Sequence, residues 1–256
     1  MEVAVIIIFS ILGLAVGSFL NVCIDRLPAG KSIITPPSYC DACGKRISTI
    51  DLVPVFSYIF LGGNCRYCQA KIPKRVLFVE LFTGILFALL MWHYGLSAKF
   101  GVVAFYFCVF IVLGVIDLKH QLILNKIVYP AAVIALIIDF FLSDFGIIQG
   151  LIGFGIGFGF FLVVFILVSL LYGEGMGFGD VKLAGLIGLA VGSPNVVVAL
   201  LLGIILGGVV AIVLLALKVK KRKEAIPFGP FLALGAMVTL VWGDSILWWW
   251  LGLFSF

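Results

Sequence analysis

The amino-acid sequence predicts an all-α polytopic membrane protein of about eight transmembrane helices, with one small polar loop domain that carries cysteines. Three observations lead there. Of 256 residues, 64% are apolar and only 11% are charged, whereas a soluble domain carries roughly 25% charge. The apolar residues fall in long runs, and the mean hydropathy of the whole chain is +1.31. The basic residues fall in alternate gaps between those runs. A soluble core of this length cannot hide so much apolar surface. The 24 Phe exclude a disordered chain, since disorder goes with polar, aromatic-poor composition.

The first run, at 3–24, is 22 residues long and can cross roughly 30 Å of hydrocarbon. A cleaved signal would open on basic residues, but the only charge before this run is the acidic Glu2, and the first Arg, Arg26, follows it. It reads as an uncleaved first span, so the first segment is 1–24. A polar segment, 25–75, comes next and holds five prolines and eight of the 17 Lys and Arg. The remainder, 76–256, is a multi-helix membrane domain with apolar runs at 76–94, 100–116, 127–142, 147–171, 181–191, 196–217 and 226–242. The run at 181–191 is short for a span, which predicts a half-buried helix or a locally thinned bilayer. Gly153, Gly155, Gly157 and Gly159 in the fifth run, with Gly203, Gly207 and Gly208 in the seventh, predict close helix packing.

Orientation follows from the charges. With the N-terminus outside, 16 of the 17 basic residues lie on the inner side and only Lys99 lies outside, as the excess of Lys and Arg in cytoplasmic loops requires. The same orientation puts Asp144, Asp244 and the run Trp248, Trp249, Trp250 at the outer interface, where aromatic belts sit. The net charge of +5 therefore sets topology in a lipid bilayer, and no nucleic-acid partner is expected.

Within the inner loop, Cys40-Asp41-Ala42-Cys43 and Cys65-Arg66-Tyr67-Cys68 repeat a C-x2-C pair across a gap of 21 residues. Two such pairs supply the four thiolates of a tetrahedral zinc site. A structural zinc lets a loop of about 50 residues fold despite a thin core. The loop domain is thus predicted as a small cytoplasmic zinc-knuckle domain. Unmetallated thiols and a C-x2-C redox pair are the alternatives, although the βαβ setting of a redox motif is missing. Disulfides rarely persist in a reducing compartment. Cys23 and Cys108 lie in apolar runs and read as core packing.

Acidic groups in or beside spans are costly and default to functional candidates. Asp117 closes the third run. Asp180 opens the sixth, within Gly175-Met176-Gly177-Phe178-Gly179-Asp180-Val181-Lys182. In the orientation above both stand at the cytoplasmic edge, on different helices. Two carboxyls held close do not both ionise readily, so one works as base and the other as acid. The plain alternative is that each is a solvated helix end. Gly177 and Gly179 favour the first reading, since bare backbone lets a substrate strand approach. Lys182 and Glu174 flank this string as supporting residues, Glu174 as a holder of the loop's shape. Glu80, one turn into the second run, either pairs with Arg75 or Lys74 or lines a site. Asp139, near an outer end, calls for no special role.

Taken in order, these strings resemble the type IV prepilin peptidase family, membrane aspartic proteases of the G-x-G-D kind. The likeness begins with Gly17-Ser18-Phe19-Leu20-Asn21 and Arg26-Leu27-Pro28, and runs through the paired knuckles and Val79-Glu80-Leu81. It continues with Asp117-Leu118 and Asn125 eight positions on, then the string from Glu174 to Leu183. It ends in Ile226-Pro227-Phe228-Gly229-Pro230-Phe231-Leu232-Ala233. Leu124 stands where the family often has Pro, and Asn64 where it commonly has Lys or Arg. The resemblance implies that Asp117 and Asp180 form the catalytic pair. It implies a cytoplasmic (inner) membrane enzyme of bacterial or archaeal type that removes the basic leader of prepilins or pseudopilins after Gly. It also implies N-methylation of the new amino terminus from S-adenosylmethionine. Beside it stand a peptidase without methyltransferase activity and a proton-coupled transporter. The transporter would place its acids near the midplane, beside broken helices in repeated halves, and no such repeat is seen.

Overall fold

The computed structural model describes residues 3–142, 146–173, 177–219 and 226–252. The chain forms two compact units, 1–112 and 113–256, divided inside one helix, α4 (Ala98–His120). Among the described residues, six helices are long and apolar enough to cross a membrane.

In the first unit α1 (Val3–Arg26) packs along α3 (Lys74–Tyr94). Small residues allow the approach. A Cβ at Gly13 would lie 2.7 Å from Phe87 Cβ, and one at Gly17 would lie 2.8 Å from Glu80 Cα. Lipid supplies no hydrophobic drive between helices, so packing of this closeness is what associates them. Ile7, Ile8 and Ile11, away from the seam, are more than half exposed, as lipid-facing residues are. The ring of Phe100, in α4, meets Phe9 and Phe87 edge to face. Polar groups fix the other end of the pair. Asn21 Nδ2 donates to the carbonyls of Gly17 and Val76, and Arg75 donates to Asn21 Oδ1 and to both oxygens of Asp25. Between α1 and α3 lie a 3-10 turn (Ile50–Leu52), the short helix α2 (Phe56–Phe60), and two isolated bridges, Tyr39 with Arg46 and Asn64 with Lys71.

The second unit holds the end of α4 and then α5 (Asn125–Phe141), α6 (Ile147–Tyr172), α7 (Phe178–Val191), α8 (Asn195–Ala216) and α9 (Gly229–Gly252). α6 packs along α7 and α8 along α9, while α7 also touches α5, α8 and α9. α7 is therefore the core helix, with nine of its 14 residues buried. The glycines expected to serve packing divide into two groups. A Cβ at Gly153 would collide with the carbonyl of Gly188, and one at Gly157 with that of Ala184, so α6 and α7 meet backbone to backbone. Gly203 lies against Leu232 and Gly207 against Phe228, whereas Gly155, Gly159 and Gly208 face open space.

Each of the eight apolar runs coincides with one helix, of which α7 is the shortest and α9 outruns its predicted length. α7 has 14 residues, about 21 Å of helix against roughly 30 Å of hydrocarbon, which fits the short run read from the sequence. α9 begins at Gly229 and continues to Gly252, ten residues past the predicted run. The Trp248–Trp250 cluster thus rides on the helix itself, exposed along its last turns.

Candidate functional site

α4 ends one turn after Asp117. The N–H of Gln121 bonds back to the Asp117 carbonyl at 2.8 Å, and Gln121 takes a left-handed conformation (φ +54°) that turns the chain toward α5. That is a common way to close a helix. Asp117 is only 5% exposed, and its Oδ2 accepts the N–H of Gly229, the first residue of α9, at 2.9 Å.

Ile123, in the α4–α5 turn, is the wedge that brings the next residues in. A Cβ at Gly179 would lie 2.9 Å from Ile123 Cβ, and one at Gly229 would lie 3.1 Å from Ile123 Cδ1. Two bare backbones therefore close around one isoleucine, drawing the starts of α7 and α9 to the end of α4. Asp180 follows Gly179 directly in the first turn of α7. It is half-buried and near enough to Asp117 for the two carboxyls to interact electrostatically. Lys182, two residues on, donates to Asn125 Oδ1 at 2.9 Å and lies over the rings of Phe178 and Tyr129. It ties the start of α7 to the start of α5.

The two sequence-predicted glycines have different surroundings. Gly179 is filled by Ile123, so its missing side chain serves helix approach. Among the described residues, the atom nearest a hypothetical Cβ at Gly177 is Gly179 N, 3.9 Å away, so no such packing partner is seen for Gly177. Glu174 lies outside the described residues. Gly229 and Ile123 carry no chemistry of their own, which is why residue type did not single them out. The signal for Gly229 was a Gly-Pro pair at the start of an apolar run.

Asp139, given no role from the sequence, is 3% exposed on α5, and its Oδ2 has no hydrogen-bond partner among the described residues. The space left by Gly150 on α6 admits it, since a Cβ there would collide with the carboxyl. It is a deeply buried acid away from the pair.

In the first unit the four sulfurs of Cys40, Cys43, Cys65 and Cys68 lie within 4.8 Å of one another. The two knuckles repeat one hydrogen-bond pattern. Cys40 N–H bonds to Lys45 O and Gly44 N–H to Cys40 O, while Cys65 N–H bonds to Ala70 O and Gln69 N–H to Cys65 O. Gly44 and Gln69, at equivalent places, both have positive φ (+68° and +57°). The N–H groups of Cys68 and Tyr67 lower the Cys65 thiol to about 7, toward the thiolate that metals bind. The Cys40–Cys68 sulfur separation is 3.7 Å. Two ligands of a tetrahedral zinc at its usual Zn–S distance stand about 3.8 Å apart, so the donor set fits zinc. Arg66 reaches both oxygens of Asp51, tying the second knuckle to the 3-10 turn and holding the Asp51 carboxyl below its usual range.

Glu80 is 4% exposed and, among the described residues, forms no ion pair with Arg75 or Lys74. Arg75 is engaged by Asn21 and Asp25, and Glu80 Oε2 instead accepts the N–H of Val55 at 2.8 Å. Val55 has φ +64°, a strained conformation for a β-branched residue. The buried carboxylate thereby anchors the loop at the N-terminus of α2.

Residues 11–94 match the family model described as the bacterial peptidase A24 N-terminal domain, and residues 104–212 match that of the type IV leader peptidase family. The chain is 32% identical to the prepilin leader peptidase/N-methyltransferase of Pseudomonas aeruginosa, with 92% of this chain and 90% of the relative covered. It is 33% identical to the protein of that name from Stutzerimonas stutzeri, with the same coverage. It is 31% identical to the one from Dichelobacter nodosus, over 91% of this chain and 90% of the relative. No solved structure matches. With α4, α7 and α9 converging on a carboxyl pair, and with relatives matched along nearly its whole length, the chain belongs to the type IV leader peptidase family.

Proposed function

We propose that the protein is an aspartic endopeptidase of the inner membrane that removes the basic leader of type IV prepilins or pseudopilins after Gly, at the cytoplasmic face, and then methylates the new amino terminus. The observation that carries this reading is the meeting of Asp117 and Asp180, from separate helices, in a chain whose relatives are named prepilin leader peptidase/N-methyltransferase.

Two neighbouring carboxyls share one proton at rest. A water oxygen bonds to the scissile carbonyl carbon while the ionised member takes the water proton. The protonated member gives its proton to the carbonyl oxygen, leaving a gem-diol. In breakdown the first carboxyl returns a proton to the leaving nitrogen, the C–N bond breaks, and the second carboxyl regains a proton from the diol. The orientation that keeps 16 of 17 basic residues inside also keeps a basic leader there, with its apolar helix in lipid. The bond to be cut is then held at the interface. The knuckle cysteines would hold zinc as a closed four-sulfur site, a structural arrangement with no open position for chemistry. S-adenosylmethionine is a co-substrate of the second reaction, which cannot precede the first because cleavage creates the amine.

The test is co-expression with a tagged prepilin, read by gel mobility and by intact mass of the product. The wild type is expected to give shortened pilin carrying one added methyl. Asp117→Asn and Asp180→Asn are each expected to give full-length, unmethylated precursor. Full cleavage by either variant overturns its catalytic assignment, and shortened pilin without the methyl overturns the methyltransferase half.

A further inference from the structure

The start of α9 is built to present a single N–H. The first N–H groups of a helix have no partner within it. Here Pro230 has none to offer, and Phe231 and Leu232 both donate to Phe228 O, at 3.1 and 3.3 Å. Gly229 is left, and its N–H goes to Asp117 Oδ2 at 2.9 Å in a buried setting. Residue 229 can carry no side chain without disturbing that bond. A Cβ would stand 2.7 Å from Oδ2, 3.1 Å from Asp117 Cγ and 3.1 Å from Ile123 Cδ1.

We propose that Gly229 is a positioning residue of the peptidase, whose N–H holds Asp117 Oδ2 so that proton exchange with water and the leaving amine passes through Oδ1. The proposal rests on the reading of Asp117 and Asp180 as the catalytic pair. A carboxylate that accepts one fixed N–H keeps one oxygen occupied and one free, and its rotation about the Cβ–Cγ bond stops. Such a bond strengthens when the acceptor is charged, and a helix start favours negative charge. Gly229 therefore acts on both the aim of Asp117 and its readiness to take a proton. Ile123 supports the arrangement from the other side, since it touches the space of both Gly179 and Gly229.

Gly229→Ala is expected to lower kcat by about 100-fold, the scale of a misplaced reacting group, while KM for a prepilin peptide stays within about twofold, since the Gly229 N–H is taken up by Asp117 and not offered to substrate. The acid limb of the pH profile for kcat/KM is expected to rise by about one unit, because the bond that favoured the ionised carboxyl is strained. Gly235→Ala is the packing control. Its Cβ would collide with the Ala199 carbonyl between α8 and α9, so it is expected to reduce the yield of folded protein without moving the pH limb. Gly208→Ala, facing open space, is expected to match the wild type.

A second measurement needs no variant at Gly229. Hydrogen exchange of the segment 226–231 is compared between the wild type and Asp117→Ala, and about one amide is expected to lose protection. Equal exchange in the two proteins overturns the proposal, as does wild-type kcat with an unmoved pH limb in Gly229→Ala. The parent reading fails separately, through full cleavage by Asp117→Asn.

Discussion

The cysteine cluster and the carboxyl pair are gathered in opposite ways. The outermost cysteines are 28 positions apart, and each knuckle closes on hydrogen bonds between near neighbours. The bond that fixes Asp117 joins residues 112 positions apart, so it requires the end of α4 and the start of α9 to be packed together. One site is a local fold; the other is a by-product of helix packing. Local sites announce themselves by spacing and can be lost alone. Sites made by packing are hidden in spacing, and they fail either by chemistry or by collapse of the helices around them.

The largest expected effect breaks the second site by chemistry alone. Asp117→Asn and Asp180→Asn each remove a proton carrier without changing shape, and cleavage is expected to fall by at least about 1,000-fold with unchanged thermal stability in detergent. The next effect breaks the first site. The double variant Cys40→Ser, Cys65→Ser is expected to lose its metal, from about one zinc per chain to none by elemental analysis. The loop becomes sensitive to added protease and methylation stops, while cleavage falls by less than about tenfold. A cleavage defect as deep as that of Asp180→Asn, in folded protein, would show that the two sites are not separable.

Smaller effects sharpen the contrast. Glu80→Gln replaces a carboxylate that holds the strained Val55 by an amide of the same shape, at an expected cost of about 1 kcal/mol read as a lower Tm. Limited proteolysis of residues 50–60 should accelerate with it. Asp139→Asn is expected to have the least effect, leaving cleavage at wild-type rates and stability within about 1 kcal/mol. Asp139 is as deeply buried as Asp117, but among the described residues it has no partner at Oδ2. Loss of cleavage in this variant would mean that burial, and not pairing, marks the working acids.

The eight helices that follow apolar runs were legible because such runs have few other uses, although among the described residues only six are long and apolar enough to cross a membrane. The cysteine cluster was legible because four thiols at knuckle spacing are rarely accidental. The short α2 escaped notice, for five residues leave no period to read. The last helix runs ten residues beyond the apolar run, through Asp244 and the tryptophans, because a single acid and three aromatic residues do not end a helix. The role of Gly179 was read as room for a substrate, and only the position of Ile123 shows that room to be taken. Glu80 has basic neighbours in sequence, whereas it accepts a backbone N–H 25 positions away. In each case the missing information was which distant atom fills a space, and residue type alone does not encode that.

The backbone contact between α6 and α7 bears on how the protein is made. α7 is short, and its backbone at Gly188 and Ala184 packs directly against α6, so it is poorly suited to enter lipid unaccompanied. Synthesis delivers α6 first, a 26-residue helix that anchors itself and leaves Gly153 and Gly157 as an open groove. α7 then leaves the ribosome with its docking surface already in the membrane. A circularly permuted chain that delivered α7 before α6 would keep every contact of the finished fold, yet it would have to hold the Asp180 helix at the membrane with no surface to receive it. Its yield should fall for a reason that no inspection of the final contacts reveals.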